Sequence, residues 1–168
     1  MQLSCPLAII VDRLLFIGCV RKQSCIIFYF FFFIFFFGLF SACAAFNLQA
    51  ISAIIQHKAC PIELVWLPDH RGRTCLHVLG SARENLATTN PDYNPVYETV
   101  DLILNKCPKL LTQLDAEGNT PLHSSAQAGN RSVLRSLLTS NLCDESVIAM
   151  ENKQGFTARQ VKAEETQK

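Results

Sequence analysis

The chain has 168 residues, a formal net charge of +1 and a hydrophobic fraction of 49%. This length fits one domain with an appendage, and the near-neutral charge lacks the basic patch or stripe expected of a nucleic-acid-binding protein. The eight cysteines are dispersed without a C-x-x-C pair. The spacing typical of zinc sites is therefore absent, and we expect free thiols, no metal and no nucleic-acid partner.

The N-terminal part of the chain is strongly apolar. Residues 1–25 form a leader whose last charged residues, Arg21 and Lys22, precede an uncharged segment that reaches His57. Residues 26–46 are rich in Phe, which favours membrane insertion, and as a helix they are long enough for a hydrocarbon core of about 30 Å. The sequence therefore predicts a single hydrophobic, transmembrane helix over 26–46, with the lipid bilayer as a partner and a single-pass membrane location.

Three alternatives to a membrane anchor stay open for this segment. The residues Ala42-Cys43-Ala44 resemble a signal-peptide cleavage site, and Phe40-Ser41-Ala42-Cys43 resembles a bacterial lipoprotein box. The Phe run is also of low complexity, and pyrimidine-rich Phe codons fit untranslated sequence read through in a gene model. If the mature protein lacks the run, the alternative location is cytoplasmic.

A short helix and an aromatic connector follow. Residues 47–57 predict a helix because apolar residues such as Ile51 and Ile55 recur at helical spacing. The connector 59–68 carries Trp66, and Trp is a residue type that often dominates protein–protein binding. Trp66 is therefore a candidate partner contact, with covering of the apolar core as the structural alternative.

One sequence phrase recurs in the second half of the chain. Asp-x-x-Gly-x-Thr-x-Leu-His occurs at Asp69–His77 and at Asp115–His123, and Asn152–Gln160 keeps its Gly and Thr. The Thr can cap a helix, and Pro121 suits the first helical position, where no amide donor is needed. Gly129 then ends this first helix. Each phrase therefore predicts a tight turn followed by a helix.

A second helix is predicted after each full copy, over 96–106 and 132–139, because apolar residues recur there at helical spacing. In the helix over 132–139, the predicted apolar stripe consists of Val133, Leu134, Leu137 and Leu138. Between the two helices of the first copy, residues 85–95 contain two Asn-Pro steps, which predict a loop. Tyr93 in this loop is a further candidate partner contact.

This helix–turn–helix pattern, with its TPLH helix start, resembles the ankyrin repeat, whose period is about 33 residues. The copies are 46 and 37 residues apart, so both intervals contain insertions. The resemblance implies an all-α, ankyrin-repeat solenoid of stacked helix-turn-helix units over 47–168, preceded by the single hydrophobic helix. Its units are a partial repeat at 47–68, a repeat with an insertion at 69–114, a repeat at 115–151 and a partial cap at 152–168.

The resemblance also implies a function, which is binding of another protein by a non-catalytic scaffold. Members of this family contact partners through variable positions at the turn tips and through the exposed end of each first helix. Here these positions are His70, Arg71, Arg73, Ala116, Glu117, Asn119, Gln127, Ala128, Lys153, Gln154 and Phe156. We expect a membrane-anchored interaction scaffold or, if the Phe run is absent from the mature protein, a soluble intracellular ankyrin adaptor.

Catalytic residues and cofactors are not expected. The chain has no glycine-rich phosphate loop, no G-x-S-x-G and no H-E-x-x-H motif. Cys75 and His77 could form a nucleophile pair, but the same positions recur as Pro121 and His123, which indicates a scaffold role. In the resembling family this histidine hydrogen-bonds to neighbouring backbone and helps to join the repeats.

Overall fold

The computed structural model describes residues 22–58, 60, 63–83 and 95–165, and the regular elements among them are helices. They are α1 (Lys22–Ala44), α2 (Leu48–Gln56), α3 (Glu63–Trp66), α4 (Cys75–Ser81), α5 (Pro95–Lys106), α6 (Pro121–Gln127), α7 (Arg131–Leu138), α8 (Glu145–Ile148) and α9 (Ala158–Glu165), with a 3₁₀ turn at Pro108–Thr112. The all-α prediction is confirmed for this part of the chain, which holds no strand. The predicted leader up to residue 21 and the loop residue Tyr93 lie outside the described residues.

The chain divides into two compact units, residues 1–34 and 35–168. In the first unit the described residues form the N-terminal part of α1. In the second unit, helices α4, α6 and α9 pack side by side as an inner row, while α2, α5 and α7 pack as an outer row. Each helix pair has only one apolar stripe, so neighbouring pairs must cover one another to form a core.

The first inner position of this second unit is filled by the C-terminal end of α1. Leu39 and Cys43 are fully buried in the same apolar core as Leu76, Ile103 and Leu122. The Phe-rich segment thus supplies the first helix of the partial repeat whose second helix is α2.

The turn from α1 to α2 has the geometry of the turn from α6 to α7. Phe46 has φ 53° where Gly129 has φ 69°. In both turns the next residue caps the outer helix that follows. The side chains of Asn47 and Asn130 each accept a backbone N–H of that helix, at 3.0 and 3.1 Å. The Asn130 amide also donates to the carbonyl of Ala82 at 3.0 Å, which links α7 to the end of α4.

The predicted membrane-spanning helix over residues 26–46 is not supported. Near its end, Leu39, Ala42, Cys43 and Phe46 are packed into the repeat core, where protein rather than lipid covers Leu39 and Cys43. Apolar composition alone did not distinguish these two environments. In the part of the chain that the structure describes, no helix is both long enough and apolar enough to cross a membrane.

The other end of the described stack is open. An apolar hollow of about 220 Å³ lies there. Its lining residues are Leu122, Ala126, Leu134, Leu138, Ile148, Ala158 and Arg159. The sequence predicted Leu138 as part of the buried stripe of α7, together with Val133 and Leu137, but Leu138 is 43% exposed. The difference arises because no described outer helix follows α9 to cover this face.

Candidate functional site

Three turns that precede the inner helices share one backbone geometry. They are finger 1 (residues 69–73), finger 2 (residues 115–119) and finger 3 (residues 152–156). In finger 2, Oδ1 of Asp115 accepts the backbone N–H of Glu117 at 3.0 Å and of Asn119 at 2.7 Å. Asp69 and Asn152 accept the equivalent two bonds in fingers 1 and 3. The first side chain of each finger therefore holds the turn and leaves the tip residues facing outward.

Backbone hydrogen bonds join neighbouring fingers. The N–H of Ala116 donates to the carbonyl of Arg71 at 2.8 Å, and the N–H of Lys153 donates to the carbonyl of Glu117 at 3.1 Å. Main-chain groups thus set the spacing between the fingers. The side chains of these four residues take no part in these bonds.

Two histidines attach the inner helices to the next finger. In the first, Nδ1 of His77 accepts the backbone N–H of Thr74 at 3.1 Å, and Nε2 lies 2.9 Å from the carbonyl of Asn119. Because a backbone N–H can only donate, the ring proton of His77 must sit on Nε2 and donate to that carbonyl. His123 repeats the arrangement, with Nε2 2.9 Å from the carbonyl of Phe156. Both imidazoles therefore join neighbouring repeats, and the bond that Nδ1 of His77 accepts requires the neutral form of that ring.

This arrangement predicts a pH dependence of stability. Burial, and to a smaller degree the Arg73 guanidinium, lower the pKa of His77 below its usual value, although the bond to the Asn119 carbonyl opposes the shift. Below a pH of about 6.5 the unfolded histidine takes up a proton that the folded one does not. As the pH is lowered below this value, the free energy of unfolding should therefore decrease by at most about 1.4 kcal/mol per pH unit, until the pKa of the folded form is reached.

Urea denaturation of the full chain at a series of pH values measures this slope. The His77→Gln variant is the control, because glutamine does not titrate and the other histidines are retained. A variant with the same slope as the parent protein would contradict the assignment.

The fingers and the inner helices enclose a polar recess of about 400 Å³. Its lining residues are Arg71, Arg73, Ser81, Asp115, Glu117, Asn119, Ser124, Gln127, Ala128, Asn152, Gln154 and Val161. Only Ala128 and Val161 among them are apolar. The recess therefore offers hydrogen-bonding and charged groups, and it lacks the apolar pocket that an aromatic anchor residue would fill.

About half of the residues that line the recess were predicted as partner contacts from the sequence. The predicted contact residues that line the recess are Arg71, Arg73, Glu117, Asn119, Gln127, Ala128 and Gln154. The predicted residues His70, Ala116, Lys153 and Phe156 do not line it. The Lys153 ammonium donates to the carbonyl of Ala116 at 2.7 Å, and Phe156 is half-buried with its carbonyl at His123.

The two predicted aromatic contacts lie elsewhere. Trp66 ends α3 just before finger 1 and is 48% exposed, outside the lining of the recess. Tyr93 belongs to the residues that the structure does not describe.

Ser124 is the most informative lining residue that sequence reasoning missed. It is 8% exposed, and within the described part of the chain its hydroxyl has no hydrogen-bond partner. The adjacent hydroxyl of Ser125 differs, because it donates to the carbonyl of Pro121 at 2.8 Å. Two consecutive serines on an inner helix were the signal that the sequence offered.

The charged residues of the recess divide into paired and unpaired groups. Arg73 forms an ion pair with Asp69 at 2.8 Å. Burial raises the pKa of the Asp69 carboxyl, but the hydrogen bonds from Arg73 and Arg71 outweigh this effect and hold that pKa below its usual value. The guanidinium of Arg71 and the carboxylate of Glu117 make no ion pair or side-chain hydrogen bond with any described residue. These two opposite charges are available to a partner.

The thiols and other potential ligands form no reactive cluster in the described residues. No group of three or more His, Cys, Asp or Glu side chains there could hold a metal ion. Burial raises the pKa of the Cys75 thiol to about 12, and Cys75 Sγ donates to the carbonyl of Val65 at 3.2 Å. Burial also raises the pKa of Cys43 well above its usual value. Both thiols are therefore protonated at neutral pH and unsuited to nucleophilic attack.

Comparison with models of protein families identifies a repeat in the second half of the chain. Residues 117–147 match the family model of the ankyrin repeat, from the tip of finger 2 through α6 and α7 into α8. No curated protein is significantly similar to the chain. The chain thus carries an ankyrin repeat in this range, and repeats of this family generally bind other proteins.

Proposed function

We propose that this protein is a non-catalytic scaffold that binds another protein in the recess between the fingers and the inner helices. The proposal rests on the meeting of three fingers and three inner helices at a single recess, which carries two unpaired opposite charges, Arg71 and Glu117. The ankyrin-repeat match over 117–147 supports the same class of function.

The rigidity of the fingers favours such a role. Each finger is closed by a side-chain acceptor and joined to a neighbouring finger by a backbone bond, so its tip residues are held in place before a partner arrives. Binding then loses less conformational freedom than it would on a mobile loop. A recess made in this way can be specific even though its contacts are polar.

We expect the double variant Arg71→Ala/Glu117→Ala to weaken partner capture by about tenfold, since alanine scans find that few, central side chains dominate binding. The matched control is Arg135→Ala/Asp101→Ala, which removes one cation and one anion from exposed positions on the outer row. Affinity capture from native cell extract, quantified by mass spectrometry, compares the two variants with the parent chain.

A protein that is lost with the recess variant and retained with the outer-row control is the partner. Circular dichroism must first show that both variants are folded. Equal capture by both variants would contradict binding in the recess.

Membrane attachment through residues 26–46 is a separate proposal, supported by the uncharged apolar segment alone. The alternative is a soluble intracellular adaptor whose mature form lacks the Phe run. Alkaline carbonate extraction of cells that express the full chain distinguishes them. Retention with the membranes supports attachment, and release into the supernatant overturns it.

A further inference from the structure

The floor of the recess holds a buried hydroxyl that has no partner within the described chain. Ser124 is more than nine-tenths buried and lines the recess. Buried side-chain polar atoms nearly always have a hydrogen-bond partner, and the next residue, Ser125, has one at 2.8 Å. An unpartnered hydroxyl at this place is explained if it serves a molecule that enters the recess.

The charges of the recess are arranged along the stack. Finger 1 contributes the cations Arg71 and Arg73, and finger 2 contributes the anions Asp115 and Glu117. Finger 3 contributes neutral amides, so one direction along the recess runs from positive to negative. Arg73 and Asp115 are held by hydrogen bonds within their fingers, which leaves Arg71 and Glu117 for a ligand.

The spacing of these two charges fits an extended peptide. Neighbouring packed helices lie about 8–10 Å apart. Arg71 and Glu117 occupy the same position in consecutive fingers, so we take the distance between their backbones to be about the same. A polyproline II segment has three residues per turn and rises about 3.1 Å per residue. Residues three positions apart therefore point to the same side at a separation of about 9 Å.

Resting on the proposed function, we propose that the recess binds an extended peptide segment with one acidic and one basic side chain three positions apart. The acidic side chain pairs with Arg71, the basic side chain pairs with Glu117, and the peptide backbone hydrogen-bonds to the Ser124 hydroxyl. The segment lies along the stack, so the order of its charges matters as well as their number.

Charge order provides the first test. The probes are three fluorescent proline-rich peptides whose termini are blocked and uncharged. One has the order Glu-x-x-Lys, one has Lys-x-x-Glu, and one has Gln at both positions. Fluorescence anisotropy with the full chain should show one charged order binding about tenfold more tightly than the other two probes, because two exposed ion pairs distinguish them. The swapped variant Arg71→Glu/Glu117→Arg should prefer the opposite order.

Equal binding of the two orders, or an unchanged preference in the swapped variant, would overturn the proposal. If none of the probes binds while capture of a protein still depends on Arg71 and Glu117, this inference fails and the proposed function stands. If capture is also independent of these residues, both fail.

Ser124 provides the second test, with Ser125 as its matched control. We expect Ser124→Ala to weaken binding of the preferred peptide about fivefold while the melting temperature stays equal or rises, since a buried unpaired hydroxyl is removed. Ser125→Ala should leave peptide affinity unchanged and lower the melting temperature. A Ser124→Ala variant with parental affinity would show that this hydroxyl does not serve the ligand.

Discussion

The His77→Ala variant is expected to lose about 4 kcal/mol of unfolding free energy, measured by urea denaturation followed by far-UV circular dichroism. His77 is fully buried, so truncation removes packing and leaves a cavity, which typically destabilises by several kcal/mol. It also leaves the N–H of Thr74 and the carbonyl of Asn119 without their partner. Each buried polar group left unpaired costs about 1–3 kcal/mol.

The chain itself offers the control for this variant. In the third copy of the phrase, Oε1 of Gln160 accepts the N–H of Thr157 at 2.8 Å, which is the cap that His77 makes at Thr74. His77→Gln should keep the cap and lose only the bond to the next finger, at a cost of about 2 kcal/mol. An alanine variant as stable as the glutamine variant would show that the histidine does not join the repeats.

The second large effect is expected for Gly118→Ala, which should lower the unfolding free energy by about 3 kcal/mol. Gly118 has φ 78°, a conformation that costs an L-residue about 1–2 kcal/mol. A methyl group there would also lie 2.9 Å from the backbone nitrogen of Lys153 in finger 3. Overpacking of this kind adds about 1–3 kcal/mol, and it would push apart the two fingers that the backbone bond joins.

Gly155→Ala separates the two contributions. Gly155 has nearly the same φ, 79°, but a methyl group there would meet no atom within 4 Å. This variant should therefore lose only about 1 kcal/mol, from backbone strain. Equal losses in the two variants, measured by the same urea denaturation, would contradict close contact between fingers 2 and 3.

Much of the repeat architecture could be read from short local patterns. The phrase at Asp115–His123 predicts a turn, a capped helix and a histidine, and in the structure these groups bond to one another within nine residues. Local signals of this kind depend on neighbouring residues only. The third copy has Gln160 in place of the histidine of the phrase, yet Gln160 makes the same capping hydrogen bonds as the histidine.

The features that sequence reasoning missed depend on contacts between distant residues. Hydropathy marks the end of the Phe run as apolar, but whether lipid or protein covers Leu39 is decided by the packing of α2 and α4. Likewise, Leu138 is exposed because its outer-row neighbour is absent from the described chain. The free hydroxyl of Ser124 becomes visible only once the hydrogen bonds of its neighbours are known.

The backbone bonds between the fingers have a consequence for how this surface can change. The amide and carbonyl groups of Ala116, Arg71, Lys153 and Glu117 that form them are common to nearly all residue types. A new side chain at one of these four positions therefore leaves the spacing of the stack intact and carries little thermodynamic penalty. Binding preference can be rewritten, by mutation over generations or at the bench, almost independently of whether the chain folds.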